Sequence, residues 1–181
     1  MQYQISKTYN WSSTKKMVMI ALMVAAAIIL SYFERLIPLQ LVIPVPGVKL
    51  GLANVVILTS IYLFSYREVF FIVLLKAGLV GVLFGSPITF LYSLAGSILS
   101  FLVMYILVVI CKEYISSIGI SVSGAIFHNI GQITMASILI ETRNIFMYLP
   151  YLMLVGIITG IGVGFVVKYI IKYLRMIIPK L

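Results

Sequence analysis

ITFLYSLAGSILSFLVMYILVVIC, residues Ile88 to Cys111, runs for twenty-four residues without one charged side chain. A hydrocarbon core about 30 Å thick needs about 20 largely apolar residues to be crossed by a helix, so this stretch reads as a membrane span. The whole chain agrees with it: 63% of its 181 residues are hydrophobic and only 9% charged, too few charges to solvate a soluble domain. Outward from that run, five more segments read as spans or near-spans: Met17 to Phe33, Leu50 to Tyr66, Val69 to Leu83, Ser121 to Ile140 and Tyr148 to Tyr169. The expected fold is an all-α integral membrane protein of six transmembrane helices. A basic segment, 1–16, precedes one transmembrane domain, 17–175, and a short tail, 176–181, follows it.

The charges orient this bundle. With both termini cytoplasmic, the inner side carries Lys7, Lys15, Lys16, Arg67, Lys112, Lys168, Lys172, Arg175 and Lys180, and the outer side only Arg35, Lys49 and Arg143. That is a positive-inside distribution, expected of a multi-pass protein of the cytoplasmic membrane. The net charge of +9 forms no basic stripe interleaved with aromatics, so the lipid bilayer, and no nucleic acid, is the expected partner. Between the first two spans, Arg35 to Lys49 holds Pro38, Pro44 and Pro46 and no helical periodicity. It reads either as a segment packed on the bundle or as a lid over an outward-facing pocket.

Composition also excludes chemistry. One cysteine, Cys111, and one histidine, His128, cannot build a disulfide framework, a zinc site or a cysteine-ligated cluster, and no cofactor is expected. The acidic residues are all glutamates, Glu34, Glu68, Glu113 and Glu141, each near a span end. No Gly-x-x-x-x-Gly-Lys-Ser/Thr loop is present, so the chain has no Walker site for nucleotide hydrolysis. An enzyme is not expected.

Polar residues inside the spans are the candidate site. Lys76 lies too far from either end of its span to snorkel comfortably, and a central lysine costs about 2.5 to 3.5 kcal/mol on insertion scales. With no aspartate available and the glutamates at span ends, an anionic ligand, a helix C-terminus or backbone carbonyls should compensate it. On the fifth span His128 and Gln132 share a face, with Asn129 one step round, beside Gly124 and Gly131. Thr89, Ser93, Ser97 and Ser100 form one face of the fourth span, and Tyr92 is the residue there best able to stack on a flat ligand. Lys49 and Asn54, near the outer surface, could face the same cavity. Ala21 and Ala25, and Gly156, Gly160 and Gly164, are small residues four apart, suited to close helix packing inside the bundle or against another membrane subunit.

Three stretches together carry a resemblance: Pro46-Gly47-Val48-Lys49-Leu50-Gly51-Leu52-Ala53-Asn54, Phe84-Gly85-Ser86-Pro87-Ile88-Thr89-Phe90-Leu91-Tyr92-Ser93-Leu94-Ala95-Gly96, and Gly124-Ala125-Ile126-Phe127-His128-Asn129-Ile130-Gly131-Gln132. They resemble the membrane family labelled Gx transporter, or heptaprenyl diphosphate synthase component I. That family looks like a relative of the substrate-binding S components of energy-coupling factor transporters. The resemblance implies a six-helix protein that binds a micronutrient beneath its first outer loop and works with a membrane coupling subunit and cytoplasmic ATPases. Ala21-x-x-x-Ala25 would then be the motif that meets the coupling subunit. The synthase label implies chemistry that a chain without aspartate cannot supply, because magnesium held against a diphosphate requires hard oxygen ligands.

Two functions follow. The first is a substrate-binding subunit for a small anionic or polar-aromatic molecule, with Lys49, Asn54, Lys76, Thr89, Tyr92, His128, Asn129 and Gln132 at the pocket. The second is a non-catalytic membrane component of isoprenoid or quinone metabolism, with apolar grooves for a prenyl chain.

Overall fold

Backbone amides in an apolar surrounding must be satisfied within their own segment, and an uninterrupted helix does this with no help from neighbours. The computed structural model describes residues 12–37, 49–84, 86–111 and 114–177, and among them every regular element is helical. In chain order these are α1 (Ser13–Arg35), α2 (Asn54–Leu63), α3 (Tyr66–Phe84), α4 (Pro87–Cys111), α5 (Ser117–Ile140) and α6 (Leu149–Ile177), with a 3₁₀ turn, Asn144–Tyr148, leading into α6. Three of them, α1, α4 and α6 with its leading turn, are long and apolar enough to cross a membrane.

The helices run alternately up and down. At one end Lys16 of α1 pairs with Glu68 of α3 at 2.8 Å. At the other the Arg35 guanidinium donates to the Phe84 carbonyl, tying the close of α1 to the close of α3. Helix starts are written locally. Ser86 caps α4, its amide donating to Thr89 Oγ1 at 2.8 Å while Thr89 N–H donates to Ser86 Oγ at 3.3 Å, with Pro87 in the first turn. Ser116 Oγ accepts from Gly119 N–H at 3.2 Å and opens α5.

The second span is a correction. A helix over Leu50 to Tyr66 was expected; the structure confines it to Asn54–Leu63, about 15 Å at 1.5 Å per residue. Gly51, at φ +82°, precedes it in a turn, Phe64 is extended, and Ser65 N–H donates to Glu68 Oε2 at 2.9 Å to begin α3. Such a short helix is possible because α2 is central. It packs against the other five, and every residue in it but Val55 is buried.

Gly156, Gly160 and Gly164 pack inward, and a Cβ at Gly160 or Gly164 would stand 2.7 or 2.5 Å from the Cα of Val122 or Ile118 on α5. The alanine pair behaves differently: Ala21 and Ala25 are exposed on the outer face of α1. The apolar core has two parts. A large one joins Ile57, Ile61, Phe101, Met104, Ile120 and Val167, and a small one joins Tyr92, Ile133, Ala136, Ile145 and Leu152. Along α4 the order Tyr92, Ser97, Phe101 puts a polar layer between them.

Candidate functional site

That polar layer is built from α1, α3, α4, α5 and the turn before α2. Lys76, 2% exposed, donates from Nζ to Ser97 Oγ on α4 at 3.0 Å. His128 and Gln132, one turn apart on α5, face each other with Gln132 Nε2 2.6 Å from His128 Nε2. Gln132 Oε1 accepts the Lys49 backbone N–H at 2.9 Å, which fixes the amide's orientation, so its NH₂ group is the donor to the ring. His128 Nε2 is therefore an acceptor, and the neutral ring carries its proton on Nδ1. Among the described residues Nδ1 has no hydrogen-bond partner, and the ring's Cε1 edge packs against Gly96.

Glu34 completes the layer. Its Oε1 accepts the backbone N–H of Gly51 and, at 3.2 Å, that of Leu52, and the residue is 3% exposed. It lies within electrostatic reach of both Lys76 and Lys49 without pairing directly with either. This corrects the expectation that no glutamate is available to Lys76: the last turn of α1 delivers one sideways, through the turn that starts α2. Lys49 is half-buried, and burial holds its ammonium below the ordinary lysine range, with Glu34 opposing that shift. Gly51 is required here twice over. Its φ is one that L side chains rarely adopt, and a Cβ would stand 2.9 Å from Asn54 Nδ2 and 3.3 Å from His128 Cδ2. Asn54, 1% exposed, has among the described residues no partner for either side-chain polar atom.

Lys49, Asn54, Lys76, His128 and Gln132 are thus brought into one layer, and Ser97 joins them. Three other candidates are used elsewhere. Thr89 is the partner of the Ser86 cap, and Tyr92 is buried in the small apolar core. Asn129 donates to the Leu152 carbonyl at 2.7 Å, where Gly156 makes room for it, and so bonds α5 to α6. The proline-rich stretch, residues 38–48, lies outside the described residues. Among the described residues no three metal-ligating side chains come together.

A second feature lies on the other side of α2. Among the described residues α1 and α6 do not pack against each other, and between them, floored by α2, is a cleft of about 600 Å³. Its walls are apolar, from Met23, Leu30, Leu52, Val56, Val163 and Val166, with Thr59 and Thr159 as the polar residues. Thr159 Oγ1 is engaged by the Gly156 carbonyl at 3.2 Å and the Leu50 carbonyl at 3.4 Å. The Leu50–Leu52 turn therefore divides the two regions: its amides face Glu34, and the Leu52 side chain faces the cleft.

Comparison with known sequences gives a match, over residues 23–170, to the family described as heptaprenyl diphosphate synthase component I. No curated protein and no solved structure matches the chain.

Proposed function

The chain belongs to the heptaprenyl diphosphate synthase component I family, and from that premise we propose that it is a non-catalytic membrane subunit that binds a small anionic or polar molecule in the layer around Lys76. The carrying observation is the convergence of Lys76, Asn54, His128 and Gln132, each at most 2% exposed, on a glycine turn whose amides are aimed at an anion. Asn129, a contact between two helices, at least places its NH₂ group on the Leu152 carbonyl. Among the described residues neither polar atom of the Asn54 amide has a partner, beside a buried lysine, which is costly unless something else uses it.

In the finer form of this reading the protein sits in the cytoplasmic membrane as a six-helix bundle with both termini inside. It takes up its molecule from the outer face in the manner of an energy-coupling factor S component. Partner ATPases supply energy through a membrane coupling subunit that docks on the exposed Ala21 and Ala25 of α1. Native mass spectrometry of the gently purified protein tests this. A retained small molecule that Lys76→Met releases from a folded protein supports the binding role, and co-purifying ATPases support the transport role. Retention unaffected by Lys76→Met removes the layer from the site.

A second reading is favoured by the apolar cleft together with the family's description, which implies a companion component. In it the protein holds a prenyl chain for isoprenoid or quinone chemistry performed by that companion. A prenyl lipid retained by the native protein and lost from Ala26→Phe, which fills the cleft, is the result expected of it.

A further inference from the structure

We infer that the Glu34 carboxylate is a tethered stand-in for a ligand's oxyanion: the Gly51 and Leu52 amides, with Asn54, Lys49 and Lys76 around them, form a site for a carboxylate or phosphate group, and that group displaces the Glu34 side chain as it enters. The inference deepens the binding role proposed above and rests on it.

Two successive backbone N–H groups converge on one Glu34 oxygen, the arrangement by which turns capture anions, and they do so immediately before the first turn of α2, where the helix dipole adds to the attraction. A glutamate used only to neutralise Lys76 would pair with it. Instead Lys76 Nζ is bonded to a serine hydroxyl, and Glu34 reaches both lysines through space while its oxygen occupies the turn. The second observation is independent of the turn. Asn54, 1% exposed, carries an amide with no partner at either atom among the described residues, and its Nδ2 lies 2.9 Å from where a Gly51 Cβ would stand, beside the amides that Glu34 occupies. One carboxylate oxygen from α1 satisfies the two N–H groups and leaves this donor unused, whereas a free carboxylate or phosphate carries further oxygens that can accept from it. Charge agrees with the exchange: two lysines surround one carboxylate, so replacing it with a monoanion or dianion keeps the layer balanced or improves it.

Displacement has a mechanical correlate. Glu34 is the residue before Arg35, whose guanidinium holds the Phe84 carbonyl of α3. Withdrawal of Glu34 from the turn frees the last turn of α1 on the α2 side while Arg35 keeps it on the α3 side.

The test uses the full chain in mild detergent and two probes, inorganic diphosphate and succinate, with chloride at matched ionic strength as the control. Binding is followed by calorimetry. Glu34→Gln keeps the side chain's shape and removes its charge, and it should bind one of the probes at least tenfold more tightly than the unaltered protein; which probe gains decides between phosphate and carboxylate. Asn54→Leu should lose that binding. If Glu34→Gln does not fold, Glu34→Asp draws the charge back by one methylene and should also bind more tightly, by about threefold in the same sense as the weaker competitor. Probe binding that is abolished by Lys76→Met yet equal or weaker in the Glu34 variants overturns the stand-in and leaves the binding role standing. No probe binding by any form, with no small molecule retained on purification, overturns both.

Discussion

The two sides of α2 solve the problem of burial in opposite ways. Toward α3, α4 and α5 the space is filled by polar groups that specify one another's positions: Lys49 holds Gln132, Gln132 orients His128, and Glu34 fixes the turn. Toward α1 and α6 the space is a cleft of about 600 Å³ whose walls make no demand beyond being apolar. The difference is one of tolerance. Removing a partner from a buried polar set leaves another group unsatisfied at about 1 to 3 kcal/mol, whereas trimming a wall that already faces a cleft adds little cavity. A ligand gains orientation on the first side and area on the second.

Four substitutions sharpen that contrast, each read by denaturant or thermal unfolding of the purified protein. Gly51→Ala should cost most, about 3 kcal/mol, because it combines a strained φ with a clash at Asn54; a loss under about 0.5 kcal/mol would mean that the turn is not fixed as described. Gln132→Leu should follow at about 2 kcal/mol, through the orphaned Lys49 amide and His128 nitrogen. On the cleft side Val163→Ala should lose about 1.5 kcal/mol, the transfer free energy of its methyl groups with almost no cavity term. Smallest is Gly162→Ala, where nothing lies within 4 Å of the new methyl; it should gain up to about 1 kcal/mol from helix propensity. A loss there comparable to that at Gly51 would show the cleft to be as exacting as the polar layer.

Helical architecture and the polar face of α5 were legible because both are periodic. Apolar runs of helical length and the i, i+4 pair His128 and Gln132 need no knowledge of tertiary contacts. The reduction of α2 was harder to see. Leu50 to Tyr66 carries no charge and is mostly apolar, and what interrupts it is turn chemistry at Gly51 and the Ser65-x-x-Glu68 cap, signals that hydropathy averages away. Glu34 was missed for a different reason. It stands at the end of an apolar run, the position of a solvated charge, and forty-two residues before Lys76. Only the chain's return through Gly51 brings it to the lysines, and the hint, a glycine directly after Lys49-Leu50 at the mouth of an apolar helix, gains meaning once that return is known. Thr89 is the opposite case: Ser86-Pro87-Ile88-Thr89 is itself a helix-start pattern, and the threonine's hydrogen bonds are those of that cap.

The shortness of α2 also bears on how the chain would be assembled in a bilayer. A ten-residue helix is about half the length needed to span hydrocarbon, so a translocon scanning for a stable span would find none there. Joined to α3 through Phe64 and Ser65 alone, α2 would enter with α3 as a hairpin, its ends shielded only when α4, α5 and α6 close round it. The layer that holds Lys76 takes its last members, His128 and Gln132, from α5, so a chain stopped before α5 would leave that lysine in an unfinished, water-accessible groove.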